Sequence, residues 1–271
     1  MTEMKMERNH MDLFKVSRQQ LDTLIAAALA HGGDYADLYF EHTTAFNLLL
    51  KDGAVSSGGF HTDYGVGIRV LKGEKTGYAY SENTEMGDML KAAQAASAIA
   101  LGTSGNRTYA PVEDRRHDLY PMEKNWRDFG ADAFVPFLSD LEKEISGRDG
   151  RIVKVIARLS NSVSDVMMFN SLGELTCDSR PLGSVSVSAV FVQDGKTENR
   201  NASRSFRTGA ELIGPVLIKE LADDVVKGID ARFEARRPKG GQMSVVMGAG
   251  ASGILLHEAM GHAFEADFNR K

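Results

Sequence analysis

Cysteine is nearly missing from this sequence: Cys177 is the sole one in 271 residues. That excludes a disulfide within the chain and any multi-cysteine zinc site supplied by the chain alone, and a reducing, cytoplasmic setting is expected. No apolar run approaches the roughly 18 residues a membrane-spanning helix needs, so no membrane association is expected. A basic excess is also lacking. Thirty-two Lys and Arg stand against 37 Asp and Glu, for a net charge of −5, which argues against direct nucleic-acid binding. Met1–Leu13 carries Glu3, Lys5, Glu7, Arg8 and Asp12 with no apolar stretch among them, so no secretory signal is expected. What is present is a globular composition, 42% hydrophobic and 25% charged. The length suits two ordinary domains or one large one.

Residues 1–15 read as a tail. Ser17 and Gln20 fit an S-x-x-Q capping box, and Leu21, Leu24, Ile25, Ala28 and Leu29 recur at helical spacing. Gly32-Gly33 stops that helix. Strands are predicted at 37–44, 46–51, 55–61, 66–71 and 76–80, with turns at Asp52-Gly53 and Lys72–Lys75, followed by a helix over 84–100. The stretch 101–108 has linker composition. A helix over 132–146, with Pro136 in its first turn, opens a second series. Its strands are predicted at 152–159, 163–169, 174–177, 185–192 and 197–206, its turns at Leu172-Gly173 and Asp194-Gly195, and one helix over 211–233 closes it. The two series run in the same order at an offset of about 120 residues. A structural duplication and two unrelated antiparallel meanders both give that pattern.

Arg236-Arg237-Pro238-Lys239-Gly240-Gly241 breaks the last helix. The expected fold is α+β. Two antiparallel-sheet-plus-helix blocks, 1–106 and 107–236, precede a segment 237–271 made of an apolar strand (Met243–Met247), a small-residue loop and a helix from Ile254. A strand, a loop and a helix cannot bury a core, so this segment is expected either to dock on the preceding domain or to be the start of a β-rich domain cut short.

The segment Ile254–Asp267 holds the densest cluster of reactive side chains. His257-Glu258 and His262 form an H-E-x-x-x-H pattern. In the better-known zinc-protease pattern H-E-x-x-H, the imidazoles sit about 40° apart around the helix. One more residue makes that about 140° in a regular α-helix, too far apart for one ion. A π-bulge would repair the spacing, as would a break at Gly261, a poor helix former with free dihedrals. The pattern therefore demands irregular geometry over Ala259–His262. Glu258 is the expected general base beside a zinc ion. Catalytic zinc usually has three protein ligands, and Glu265, Asp267, Cys177 and the other histidines are candidates for the third. Glu265 fits better as a partner behind His262. The bland alternative is an amphipathic helix with two incidental histidines.

A rival reading uses the same segment. Gly248-x-Gly250-x-x-Gly253 is a literal G-x-G-x-x-G between a predicted strand and a predicted helix, the setting of a dinucleotide site. It ranks behind, because no βαβ unit closes in the residues from Ile254 to Lys271. Gly250 and Gly253 could instead turn backbone N–H groups toward a peptide. A non-catalytic module for dimerisation or for a peptide tunnel is the alternative from a different class. Elsewhere, His42 and His61 read as sheet residues, His117 as part of a solvated loop, Trp126 as an anchor of the middle block and Asp223-Asp224 as a solvent face.

The stretch VVMGAGASGILLHEAMGHAFEADFNRK, Val245–Lys271, resembles the metal-site segment of the TldD/PmbA family of zinc-dependent peptidases, which also carries the name modulator of DNA gyrase. Gly33–Phe40, Asp63–Arg69 and Gly73–Tyr80 resemble the family's N-terminal motifs. The resemblance implies that His257 and His262 ligate zinc, that Glu258 is the base, and that the third ligand is a downstream cysteine absent from this chain and not matched by Cys177. It further implies short or unfolded peptides as substrates and a PmbA/TldE-type paralogue or a second copy as partner. On this reading the chain is an N-terminal portion that ends just after the motif and is inactive alone.

Overall fold

Apolar and polar residues alternate along the strand segments, which is the pattern of a sheet covered on one face. The computed structural model, describing residues 10–99, 119–237 and 239–269, has two compact units, Met1–Phe233 and Glu234–Lys271. The first unit carries six antiparallel strands: β1 Tyr35–Lys51, β2 Ala54–Lys72, β3 Lys75–Ser81, β4 Ile152–Asn170, β5 Leu175–Gln193 and β6 Lys196–Phe206. Their order is β3-β2-β1-β4-β5-β6. In sequence, α1 (Arg18–Ala28) and α2 (Met86–Ile99) bracket the first three strands. Likewise α3 (Ala131–Ser146) and α4 (Pro215–Val226) bracket the last three, and a short α5 (Ile229–Glu234) follows. The class is α+β, as expected. No described helix is long and apolar enough to cross a membrane.

Each half thus repeats helix, three-stranded meander, helix, and the halves meet at the centre. β1 and β4 pair from Asp37↔Asn170 to Lys51↔Ile156. The arrangement is what a duplication produces. The expected blocks 1–106 and 107–236 share one sheet, and their boundary lies outside the described residues, as does His117.

Pairs such as Leu38↔Phe169, Phe40↔Met167, Leu48↔Leu159 and Leu50↔Ala157 put the buried side chains on a single face. Over that face lie two apolar clusters. One gathers Leu21, Leu24, Met89 and Ala93 from α1 and α2; the other gathers Phe134, Leu138, Leu141, Leu221 and Val225 from α3 and α4. The capping box forms as read: the Gln20 amide N–H donates to Ser17 Oγ, and the Ser17 N–H donates to Gln20 Oε1 at 2.8 Å. Trp126 is buried, donates from Nε1 to the Thr208 carbonyl at 2.8 Å and packs on Phe134 and Phe206.

Several expectations are corrected. The strands expected at 37–44 and 46–51 are one strand, as are 55–61 with 66–71, 152–159 with 163–169, and 174–177 with 185–192. The helix expected over 211–233 is three pieces: a 3-10 turn at Ala210–Leu212, then α4, then α5. Gly214-Pro215 starts α4, and Lys227, with ψ 121°, ends it in extended conformation. Pro136 is the sixth residue of α3 rather than in its first turn, so α3 gives up one early backbone hydrogen bond there. Asp223 and Asp224 are half-exposed but paired, with Arg148 at 3.0 Å and Arg204 at 2.7 Å.

Between the two apolar clusters lies a polar seam that periodicity alone did not mark. Asn125 caps a 3-10 turn, Trp126–Asp128, by accepting from the Arg127 amide. From that turn the Arg127 guanidinium donates to Thr44 Oγ1 at 2.9 Å, to Asp165 Oδ2 at 2.6 Å, and to the carbonyls of Val163 at 3.1 Å and His42 at 3.4 Å. Ser179 donates to the other Asp165 oxygen at 2.6 Å, and His10 Nε2 lies 4.0 Å from it.

His42 borders this seam, edge-on to the Tyr64 ring, and its Nδ1 is buried with no hydrogen-bond partner among the described residues. Burial, and secondarily the Arg127 charge, pull its pKa below the ordinary histidine value, against the opposing pull of Asp165. The unfolded chain therefore takes up this proton first as pH falls. The His42 contribution to stability is full above the unfolded value, about 6.5, and declines below it toward the folded value. Denaturation midpoints measured from pH 7.5 to 5.5 are expected to fall in the native chain and to fall less in His42→Gln.

Candidate metal centre

The second unit carries the reactive cluster. Met243–Met247 forms no strand, because no described strand pairs with it; the expected strand is corrected accordingly. The glycine loop that follows is a tight turn. The Gly253 amide donates to the Gly250 carbonyl at 2.9 Å, the Ile254 amide donates to the Ala251 carbonyl at 3.1 Å, and the Ser252 hydroxyl donates to the Gly248 carbonyl. Gly248–Gly253 thus leads into a helix, α6 (Ser252–Met260), without the strand that a dinucleotide fingerprint requires. A second short helix, α7 (Ala266–Asn269), closes the described part of the unit.

α6 holds His257 and Glu258 and stops one residue short of Gly261. The backbone then changes to a 3-10 turn, Gly261–Phe264, with Met260 at φ −133° and ψ −36° at the junction. The departure from regular helix falls at Met260. Gly261 keeps helical dihedrals, φ −58° and ψ −48°, and its amide donates to the carbonyls of both His257 and Leu256, the second at the five-residue spacing of a π-turn. Features of both repairs thus combine at the helix end. The extra residue between the histidines is absorbed there, and the imidazoles of His257 and His262 face each other at 4.5 Å between centroids, 65° between planes. Gly261 has a steric reason as well. A Cβ at this position would lie 3.2 Å from His257 Nδ1 and 3.6 Å from Cγ, so any side chain would press on the ring.

Glu258 joins them. Its Oε2 lies 3.6 Å from His262 Nε2, and one ligand atom from each of His257, Glu258 and His262 falls within 4.8 Å of the others. Two imidazoles and a carboxylate make a donor set suited to a zinc-like divalent ion. On the far side of His262, Nδ1 lies 2.6 Å from Glu265 Oε1. In this chain, side-chain exposure is 46% for His262 and 64% for Glu258. Gly250 and Gly253 lie at the start of α6, and Cys177 is buried in the sheet core of the first unit. His61 pairs with Asp63 at 2.9 Å on an exposed strand.

Comparison with known proteins gives the chain a family. Residues 36–100 match the family profile described as PmbA/TldA metallopeptidase domain 1, and residues 124–233 match the PmbA/TldA metallopeptidase central domain. A metalloprotease TldD homolog of Haemophilus influenzae is 33% identical over 250 residues, covering 88% of this chain and 51% of its own length. A homolog of the same name from Buchnera aphidicola is 27% identical over 274 residues, covering 98% of this chain and 55% of its own. The chain therefore spans about half the length of the curated relatives it matches. Among solved structures, a putative modulator of DNA gyrase from Thermotoga maritima superposes with a TM-score of 0.67 at 17% identity, covering 82% of this chain and 50% of that one. TldE from Thermococcus kodakarensis gives 0.63 at 14% identity, with 78% and 47% covered. With two consecutive family domains matched, and curated relatives named as metalloproteases, the chain belongs to the PmbA/TldD family of metallopeptidases.

Proposed function

We propose that this chain contributes two zinc ligands, His257 and His262, and the general base, Glu258, to a peptidase that hydrolyses short or unfolded peptides. One observation carries the reading: both imidazoles and the carboxylate converge although the histidines are five residues apart, because the helix loses its regular geometry at Met260 and passes into a 3-10 turn. A zinc ion held there supplies Lewis acidity. The chain's own residues do the rest. Glu258 accepts a proton from the attacking water as the new C–O bond forms at the peptide carbonyl, and delivers it to the amine as the C–N bond breaks. His257 and His262 would hold the ion, and Glu258 beside them would handle the proton. On this reading the third ligand is the downstream cysteine that the family resemblance implies, and activity belongs to the full-length protein. There the partner is a TldE-type paralogue or a second copy, and the setting is the cytoplasm.

Metal analysis tests the ligand assignment. The full-length protein is expected to hold about one zinc per chain, and His257→Ala is expected to lose it. Full zinc occupancy in His257→Ala would remove His257 from the ligand set and with it the proposed site.

A further inference from the structure

We propose that the free edge of β2, over Ser57–Gly65, is the surface through which a second copy of this chain joins, antiparallel strand to strand about a two-fold axis beside Gly59. The inference does not draw on the metal site, and its failure would leave that reading as it stands.

Three observations carry it. First, the edge is open. β1 pairs with β2 along its length, but β3 pairs only with Val66–Lys72. Among the described residues, no strand continues the sheet beside Ser57–Gly65. The helices do not overhang it either: β2 is exposed on both faces from Ala54 to Asp63, so an added strand has room above and below. A β-bulge at Ser56, where Leu49 faces Ser57 and Leu50 faces Val55, bounds the stretch at one end. Ser81 of β3, opposite Val66, bounds it at the other.

Second, the edge is undefended, and the other half of the sheet shows the contrast. β6 pairs with β5 only over Gly183–Gln193, which leaves Leu175–Leu182 as the matching free stretch. That stretch carries Asp178, Arg180 and Pro181, and His10 Nε2 lies 3.2 Å from the Asp178 carbonyl. Charges, proline and a covering segment are what keep a strand edge from pairing with another chain. Ser57–Gly65 reads SGGFHTDYG. It holds no Lys, Arg, Glu or Pro, and its single acid, Asp63, is paired with His61 at 2.9 Å.

Third, the edge is complementary to itself. Facing residues of an antiparallel pair share one side of the sheet. An axis beside Gly59 sets Gly59 against Gly59, Gly58 against Phe60 and Ser57 against His61. Phe60, 68% exposed, then lies across the partner's Gly58, where no side chain stands in its way. The imidazole faces a hydroxyl, and no like charges meet across the joint. An axis farther toward Tyr64 would instead drive each Asp52-Gly53 turn into the other copy's β3. Such self-complementarity is what an isologous two-fold interface requires. It favours a second copy over an unrelated extended peptide, which would use the backbone alone.

The test is sedimentation of the chain over a range of concentrations, where a dimer is expected. Gly59→Lys and Gly59→Glu each set like charges face to face, and each is expected to raise the dissociation constant about 10-fold or more. An equimolar mixture of the two should associate again as a mixed dimer. A Cβ at Gly59 meets only the Asn47 side chain, at 3.5 Å and beyond, so both variants are expected to keep the native denaturation midpoint. Cross-linking checks the register. Gly59→Cys with oxidised glutathione is expected to form an intermolecular disulfide, since facing Cα atoms lie about 4.5–5.5 Å apart. Thr62→Cys, on the same exposed stretch, is not, because its two copies stand apart along the joint; Cys177 is buried and takes no part. A chain that stays monomeric, a dimer equally strong in Gly59→Lys, or equal cross-linking through Thr62→Cys overturns the inference. So does a monomer whose β2 edge takes up an unstructured peptide or a paralogue's strand, for the edge then belongs to that occupant.

Discussion

Glu258→Gln is expected to lower kcat of the full-length peptidase by about 10²–10⁴-fold while zinc content stays at the native level. The range is what a positioned general acid–base group typically supplies, equivalent to about 3–5 kcal/mol of barrier. Glutamine keeps the shape and the hydrogen-bonding capacity of the side chain but cannot take a proton from water. KM should change little, because the carboxylate acts on the water and the leaving amine rather than on the bound ground state. The paired readout decides among roles that the geometry brings close together. Glu258 Oε2 stands 3.6 Å from His262 Nε2, near enough to serve as a ligand. Loss of zinc together with loss of activity would make it one. Retained activity at equal zinc would end its assignment as the base. Rate assays on an unstructured peptide, with zinc measured on the same samples, separate the three outcomes.

Arg127→Met is the second large effect expected, and it acts on stability. Asp165 is 11% exposed and Arg127 27%, and the guanidinium satisfies four acceptors on two strands, β1 and β4. Methionine fills similar volume but leaves a carboxylate in the seam with only Ser179 as a hydroxyl donor and His10 nearby. Removing one partner of a buried pair costs about 3–5 kcal/mol, and partial exposure puts this case at or below the low end. Lysine should not rescue it, because a single ammonium cannot reproduce the guanidinium fork. Arg127→Met with Asp165→Asn should recover part of the loss, since the stranded charge is then gone. By contrast, Arg204→Ala, whose partner Asp224 is half-exposed, should cost far less, because solvent screens that pair. Chemical denaturation of the chain checks all four. If Arg127→Met is as mild as Arg204→Ala, the seam does not hold the two halves together.

Local signals were legible in the sequence wherever the physics is local. Ser17 and Gln20 specify their cap without help from the rest of the chain, and Asp52-Gly53 and Asp194-Gly195 turn with positive φ at both residues. The strand breaks were misread because polar residues look like interruptions when the covered face is unknown. Ser160 and Ser162 are such residues: they lie on the uncovered face between buried Leu159 and Val163. Pro181 is the sharper case. A proline argues against a central strand, yet it pairs with Val163 inside β5. β6 begins pairing only at Gly183, so at Pro181 the strand is locally an edge and the missing N–H is not missed. Of the candidate site, the residue types and the need for distorted helix geometry were readable from spacing. Which distortion the chain adopts was not, since α, π and 3-10 turns differ by amounts that packing decides. The Arg127–Asp165 seam was hidden for a similar reason: its members are 38 residues apart and meet only after β1 and β4 are side by side.

That central pairing bears on how the chain can be divided. Separating the two matched family segments would cut no strand, yet it would strip β1 in one piece and β4 in the other of the ladder they share. Each fragment would carry a bare edge along one side, an open template for joining whatever strand it meets. Each half covers the other's inner edge strand, and neither is expected to stay monomeric in isolation.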